Sequence, residues 1–205
     1  MTQPELPARY RAFHSAGGAL LYSALGAAWA LLGVLEMRPV GMPEVAVALG
    51  LATGLLLILS VRGMQRANAV EEEAASPEAS RERGLRGART HWVFRVQAML
   101  ITAASAALVL TNRHAYVAPV TALIVGLHFV AMSSIHRTPG EGLMGAAIAL
   151  AALATVLWVP GIPSIHRNPM NLAAGFGTAL ILWAGAAATL LQQRQASEPE
   201  LPPQR

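Results

Sequence analysis

The 205-residue chain contains no cysteine, no lysine and no aspartate. Without thiols it can form no disulfide framework, hold no thiolate-bound metal and offer no cysteine nucleophile. Charge of either sign is scarce: charged residues make up 13% of the chain, against about 25% in ordinary globular domains. All 15 basic residues are Arg and all 11 acidic ones are Glu. With abundant Ala and Gly, this usage resembles that of a GC-rich bacterial genome. Aromatic residues are few as well, at 5%. In their place stand Ala, Gly and aliphatic side chains, which bring the hydrophobic share to 54% and the mean hydropathy to +0.46.

The apolar residues are not spread evenly. They fall into six blocks, at about Ala16–Glu36, Val45–Val61, Trp92–Thr111, Tyr116–Ile135, Leu143–Val159 and Leu172–Leu191, each long enough to cross a ~30 Å hydrocarbon core as a helix. The expected fold is therefore all-α, a polytopic membrane helix bundle with six transmembrane helices forming a single membrane domain over residues 1–205. Pro39, Gly41 and Pro43 break the chain between the first two blocks. A polar stretch spans residues 62–91, and a disordered polar tail is expected at 193–205. Ser76-Pro77-Glu78 reads as a helix start, with Ser at the N-cap, Pro at the first helical position and an acid at the positive end of the dipole.

Orientation follows from the arginines. An even number of spans puts both termini on one side, together with Arg9, Arg11, Arg62, Arg66, Arg81, Arg83, Arg86, Arg89, Arg137, Arg194 and Arg205. The other side receives Arg38, Arg113 and Arg167, and Arg95 falls inside the third span. This asymmetry predicts a cytoplasmic-membrane protein with N- and C-termini and the long loop in the cytoplasm. It also accounts for the sequence pI near 10.6 without nucleic acid. The first block has basic residues ahead of it and Ala28-Trp29-Ala30 within it, as a signal peptide would. Its apolar stretch continues past that point, so it is read as a retained anchor.

A titratable side chain at membrane depth is costly unless it has a role or a partner. Two residues qualify: His128, about 12 Å inside its span at 1.5 Å per residue, and Arg95, near the same end of the preceding span. Together they form the candidate intramembrane polar site, weighed against a plainer arrangement in which Arg95 snorkels to the headgroups and His128 donates to a backbone carbonyl. No Glu is expected within a span core. No catalytic residue, metal ligand set or cofactor site is identified. A haem would need a second histidine at the depth of His128, and His114 with His166 makes a weak metal pair.

Small residues mark where helices can approach closely. Gly50 and Gly54 form a GxxxG on the second span, and Ala173 with Gly177 a small-xxx-small pair on the sixth. Pro119 is expected to kink the fourth span. Ser134-Ile135-His136-Arg137-Thr138-Pro139 is echoed thirty residues later by Ser164-Ile165-His166-Arg167-Asn168-Pro169. The echo reads as two interfacial helix starts, Pro supplying the fixed φ of a first turn.

The fourth span, from Tyr116-Val117-Ala118-Pro119 through Val125-Gly126-Leu127-His128-Phe129, resembles a segment of small uncharacterised bacterial six-helix integral membrane proteins. The resemblance covers mainly this helix; it implies a helical bundle, brings Pro119 and His128 forward and implies no activity. The function expected is that of a non-enzymatic accessory or structural membrane subunit acting through helix packing. The alternative is a small transporter or channel with a polar site at His128 and Arg95. The partners expected are the lipid bilayer and a further membrane helix, from a second copy or another membrane protein.

Overall fold

The computed structural model describes residues 8–37, 42–68, 77–161 and 168–197. Among these, six long helices follow one another: α1 (Ala8–Glu36), α2 (Met42–Asn68), α3 (Pro77–Leu110), α4 (Val117–His136), α5 (Pro139–Trp158) and α6 (Pro169–Ser197). Short 3₁₀ turns precede α4 at His114–Tyr116 and follow α5 at Val159–Gly161. All six helices are long and apolar enough to cross a membrane, and the chain is an all-α, multi-pass membrane protein.

The helices overrun the apolar blocks, because hydropathy marks where lipid ends and not where backbone hydrogen bonding does. α2 continues to Asn68 and α3 begins at Pro77, so most of the stretch expected as a loop at 62–91 is helical. α6 likewise continues to Ser197, into the expected tail, of which residues 198–205 lie outside the described residues. Pro stands at the first residue of α3, α5 and α6, where its missing N–H has no intrahelical acceptor to lose. Asn168 caps α6: its side-chain oxygen accepts from the backbone N–H groups of Met170 and Asn171, each at 3.2 Å. The Ser164–Arg167 part of the sequence echo lies outside the described residues.

The end of α4 decides where the most polar cluster forms. Arg137 adopts a left-handed conformation, with φ 59°, which closes the helix, and Thr138 is extended. Two residues thus suffice to reverse the chain, and His136 at the end of α4 faces the first turn of α5.

α6 lies at the centre, packed on α1, α2, α4 and α5, while α4 also carries α5 and α3. Glycine allows two close approaches. A Cβ on Gly126 of α4 would stand 2.6 Å from the Ala149 nitrogen of α5, and one on Gly175 of α6 would stand 2.6 Å from the Gly33 nitrogen of α1. Between them lies a core of Tyr22, Ala122, Phe129, Met144, Ile148, Leu182 and Ala186. α2 and α3 are peripheral. The apolar stretch of α3 contributes no buried residue, and α2 buries Ser60 and Ala67.

The packing pairs expected from sequence are not the ones used within the chain. A Cβ on Gly50, Gly54 or Gly177 would meet nothing within 4 Å. Leu49 and Leu56 of α2 pack on the core, and Gly50 and Gly54 lie on a different face of that helix. In α6 the buried face is Ala174, Thr178, Ala179, Leu182 and Ala186, which leaves Ala173 half-buried at its edge. Pro119 is fully buried, but α4 starts at Val117. The proline therefore sits in the first turn, where no backbone bond is lost and no kink is required.

Candidate functional site

His128 lies where the sequence places it, two turns inside the end of α4, and is 7% exposed. Its ring packs against Phe94 of α3, with centroids 4.6 Å apart and planes at 55°, and edge-on to Phe129 at 5.7 Å. Its Nδ1 is buried and has no hydrogen-bond partner among the described residues. Nδ1 therefore makes no backbone-carbonyl contact of the kind expected for His128. Arg95 does not join it either. Phe94 faces α4, and the next residue points about 100° further round the helix, so Arg95 is exposed. The expected His–Arg pair is replaced by a His–Phe contact.

The polar cluster that does form centres on Glu141. It lies in the first turn of α5, inside the segment Pro139–Gly161 that is long and apolar enough to cross a membrane. It stands two residues ahead of the apolar block counted from Leu143, at the end of the span and outside its core. The Tyr22 hydroxyl of α1 donates to Glu141 Oε1 at 3.1 Å. His136 Nδ1 of α4 donates to Oε2 at 3.1 Å, with Oε1 at 3.4 Å. Thr90 Oγ1 of α3 lies 3.4 Å from His136 Nε2. With Nδ1 donating, a neutral ring leaves Nε2 to accept from Thr90, whereas a protonated ring donates there as well.

Four helices meet at this point, and the carboxylate that joins them is largely withdrawn from solvent: the side chains of His136 and Glu141 are 15% and 16% exposed. The geometry explains why. Thr138-Pro139-Gly140-Glu141 has the spacing of a capping box, in which the acid would reach back to the N-cap nitrogen. The structure shows no side-chain cap from Thr138. Glu141 instead spends its oxygens on Tyr22 and His136, which the two-residue turn and the packing of α1 bring within reach. The capping-box spacing was the available sequence signal for the helix start. Nothing in the linear order points to Tyr22, 119 residues away.

At the opposite end of α1, Asn171 Nδ2 donates to Glu36 Oε1 at 3.0 Å and ties α1 to α6. Trp183 Nε1 lies 3.4 Å from the Ser23 carbonyl and links the same helices nearer their middle. His114 is exposed, and His166, its expected companion for a metal, lies outside the described residues.

Chemically, the Glu141 cluster can bind and release a proton while holding helices together. His128 presents a buried, unpartnered nitrogen between two phenyl rings. Comparisons with family models, with curated proteins and with solved structures found no match to this chain.

Proposed function

We propose that the chain is a non-enzymatic accessory or structural subunit of a bacterial cytoplasmic membrane, acting through helix packing, with both termini cytoplasmic. It belongs on this reading with the small bacterial six-helix proteins that its fourth span resembles. The observation that carries it is the surface of α2. This helix is apolar enough to cross a membrane yet turns Val47, Leu51, Leu55 and Ile58 outward, and its Gly50 and Gly54 have open space where a Cβ would stand. Such a face lets a second backbone approach closely, the main source of helix association in lipid.

A Gly50→Cys variant tests this cleanly because the chain has no other thiol. Oxidation in membranes is expected to give a disulfide-linked dimer, and adding Gly54→Leu to abolish it. A particle containing one chain in nanodiscs, with no cross-link from α2, would defeat the reading.

A second reading, a small transporter or channel, draws on the buried His128 with its unpartnered Nδ1. Arg95 takes no part in that version. Solute or proton flux in proteoliposomes that is lost in His128→Ala would support it; flux unchanged by the substitution would remove His128 from any pathway.

A further inference from the structure

The bundle divides along a seam. α1 packs along α2 and α6, and α4 and α5 pack along each other and α6, but α1 has no extended backbone contact with α4 or α5. It reaches them through side chains. The Tyr22 ring meets Phe129 of α4 edge-on at 5.6 Å, and the Tyr22 hydroxyl donates to Glu141 of α5 at 3.1 Å. Met144 of α5 fills the space between Tyr22 and Gly185 of α6. The seam is thus apolar at its middle and closed at one end by a polar group.

We propose that Tyr22, Glu141 and His136 form a proton-operated clasp, which holds α1 against the α4–α5 hairpin while Glu141 is ionised and lets that end of the seam open when Glu141 is protonated. The inference does not depend on the packing role proposed above.

The chemistry of the acceptor carries it. An ionised carboxylate is acceptor-only and can serve two donors at once, with bonds roughly twice as strong as neutral ones. Once protonated, it carries a donor of its own, loses the charge that strengthened both bonds and no longer forms an ion pair with His136. Protonating His136 alone has the opposite sign, since a charged imidazole beside a carboxylate tightens the clasp. Acid therefore opens the seam only when it reaches Glu141.

The groups facing Glu141 are few. Among the described residues they are Tyr22 from α1, His136 from α4, the neutral Thr138 hydroxyl of the turn between α4 and α5 and, through His136, the neutral Thr90 hydroxyl from α3. Arg137, beside His136, is exposed, and His128 lies two turns deeper against Phe94. α6 brings Gly185 against Met144 and Tyr22.

Gly17 of α1 and Gly140 of α5 provide label positions on the two sides of the seam, since a Cβ on either meets nothing within 4 Å. Spin labels on a Gly17→Cys, Gly140→Cys chain in nanodiscs would report the separation by pulsed electron resonance. Taking the sample from about pH 8 to about pH 3, through and below the reference range of Glu, is expected to populate a longer distance reversibly. Tyr22→Phe, which keeps the ring on Phe129, should raise that population about tenfold at neutral pH, as for loss of one hydrogen bond to a charged group. Glu141→Gln should abolish the pH response.

Identical distance distributions at both pH values would overturn the proposal. So would a pH response that survives in Glu141→Gln, or a Tyr22→Phe chain with the unaltered distribution. A second pair, Leu21→Cys with Leu143→Cys, uses side chains 45% and 74% exposed and keeps the test valid if the first pair perturbs α5.

Discussion

At the residue scale, Glu141 is the side chain with the most to lose. Replacing it with Ala strands the Tyr22 hydroxyl and the His136 imidazole without their acceptor, and both are largely buried. Orphaning such groups costs about 1–3 kcal/mol each. Glu141→Ala is therefore expected to lower the thermal midpoint of the purified protein more than Glu141→Gln, which retains an acceptor oxygen. Equal midpoints for the two variants would show that the hydrogen bonds contribute little. The glycines make a sharper contrast. Gly126→Ala drives a methyl to within 2.6 Å of the α5 backbone, whereas Gly50→Ala meets open space. The first is expected to destabilise the monomer by about 1–3 kcal/mol, the usual range for overpacking. The second is expected to leave its melting unchanged and to show any effect only in association.

At the scale of elements, the start of α6 depends on Asn168, whose side chain satisfies two backbone N–H groups that the helix cannot. Asn168→Ala is expected to cost about 1 kcal/mol and to speed amide hydrogen exchange in the first turn of α6, leaving α4 unaffected. The turn between α4 and α5 behaves differently, because it has only Arg137 and Thr138 to work with. Arg137 sits at φ 59°, a conformation that costs a non-glycine residue about 1–2 kcal/mol. Arg137→Gly is accordingly expected to be neutral or stabilising in a chemical-denaturation series, and a clear loss would point to the side chain instead of the backbone. The two helices that give least to the buried core, α2 and α3, are as apolar as their neighbours. Hydropathy records suitability for lipid, so it could not say which spans lie at the rim.

At the scale of the whole molecule, two groups of helices share α6: α1 and α2 on one side, α4 with α5 and α3 on the other. The first group is tied to α6 by Glu36–Asn171 and by Trp183 on the Ser23 carbonyl. Among the described residues the polar link from α1 across to α5 rests on Tyr22, with Leu25 and Trp29 packed on the same core. If the arginine asymmetry sets the topology, reporter fusions at residue 80 and at either terminus will be active on the same side of the membrane. Residue 40 will report the other side. A reporter at residue 80 on the opposite side from both ends would contradict the six-crossing topology.

Sequence alone determined the class of fold, because six apolar blocks separated by polar turns and prolines leave a lipid-exposed backbone no choice but helix. It also located the helix starts at Pro77 and Pro169 and the deep histidine at position 128, all of them local properties of a few consecutive residues. Tertiary structure alone decided which faces meet. It turned Arg95 away from His128, passed over Gly50, Gly54 and Gly177 in favour of Gly33, Gly126, Gly145 and Gly175, and brought Tyr22 to a carboxylate on the fifth helix. The reason is physical: in a chain so rich in small and aliphatic residues, several helix faces are nearly equivalent in composition. The choice among them depends on three-dimensional fit between helices distant in sequence, which no local pattern encodes.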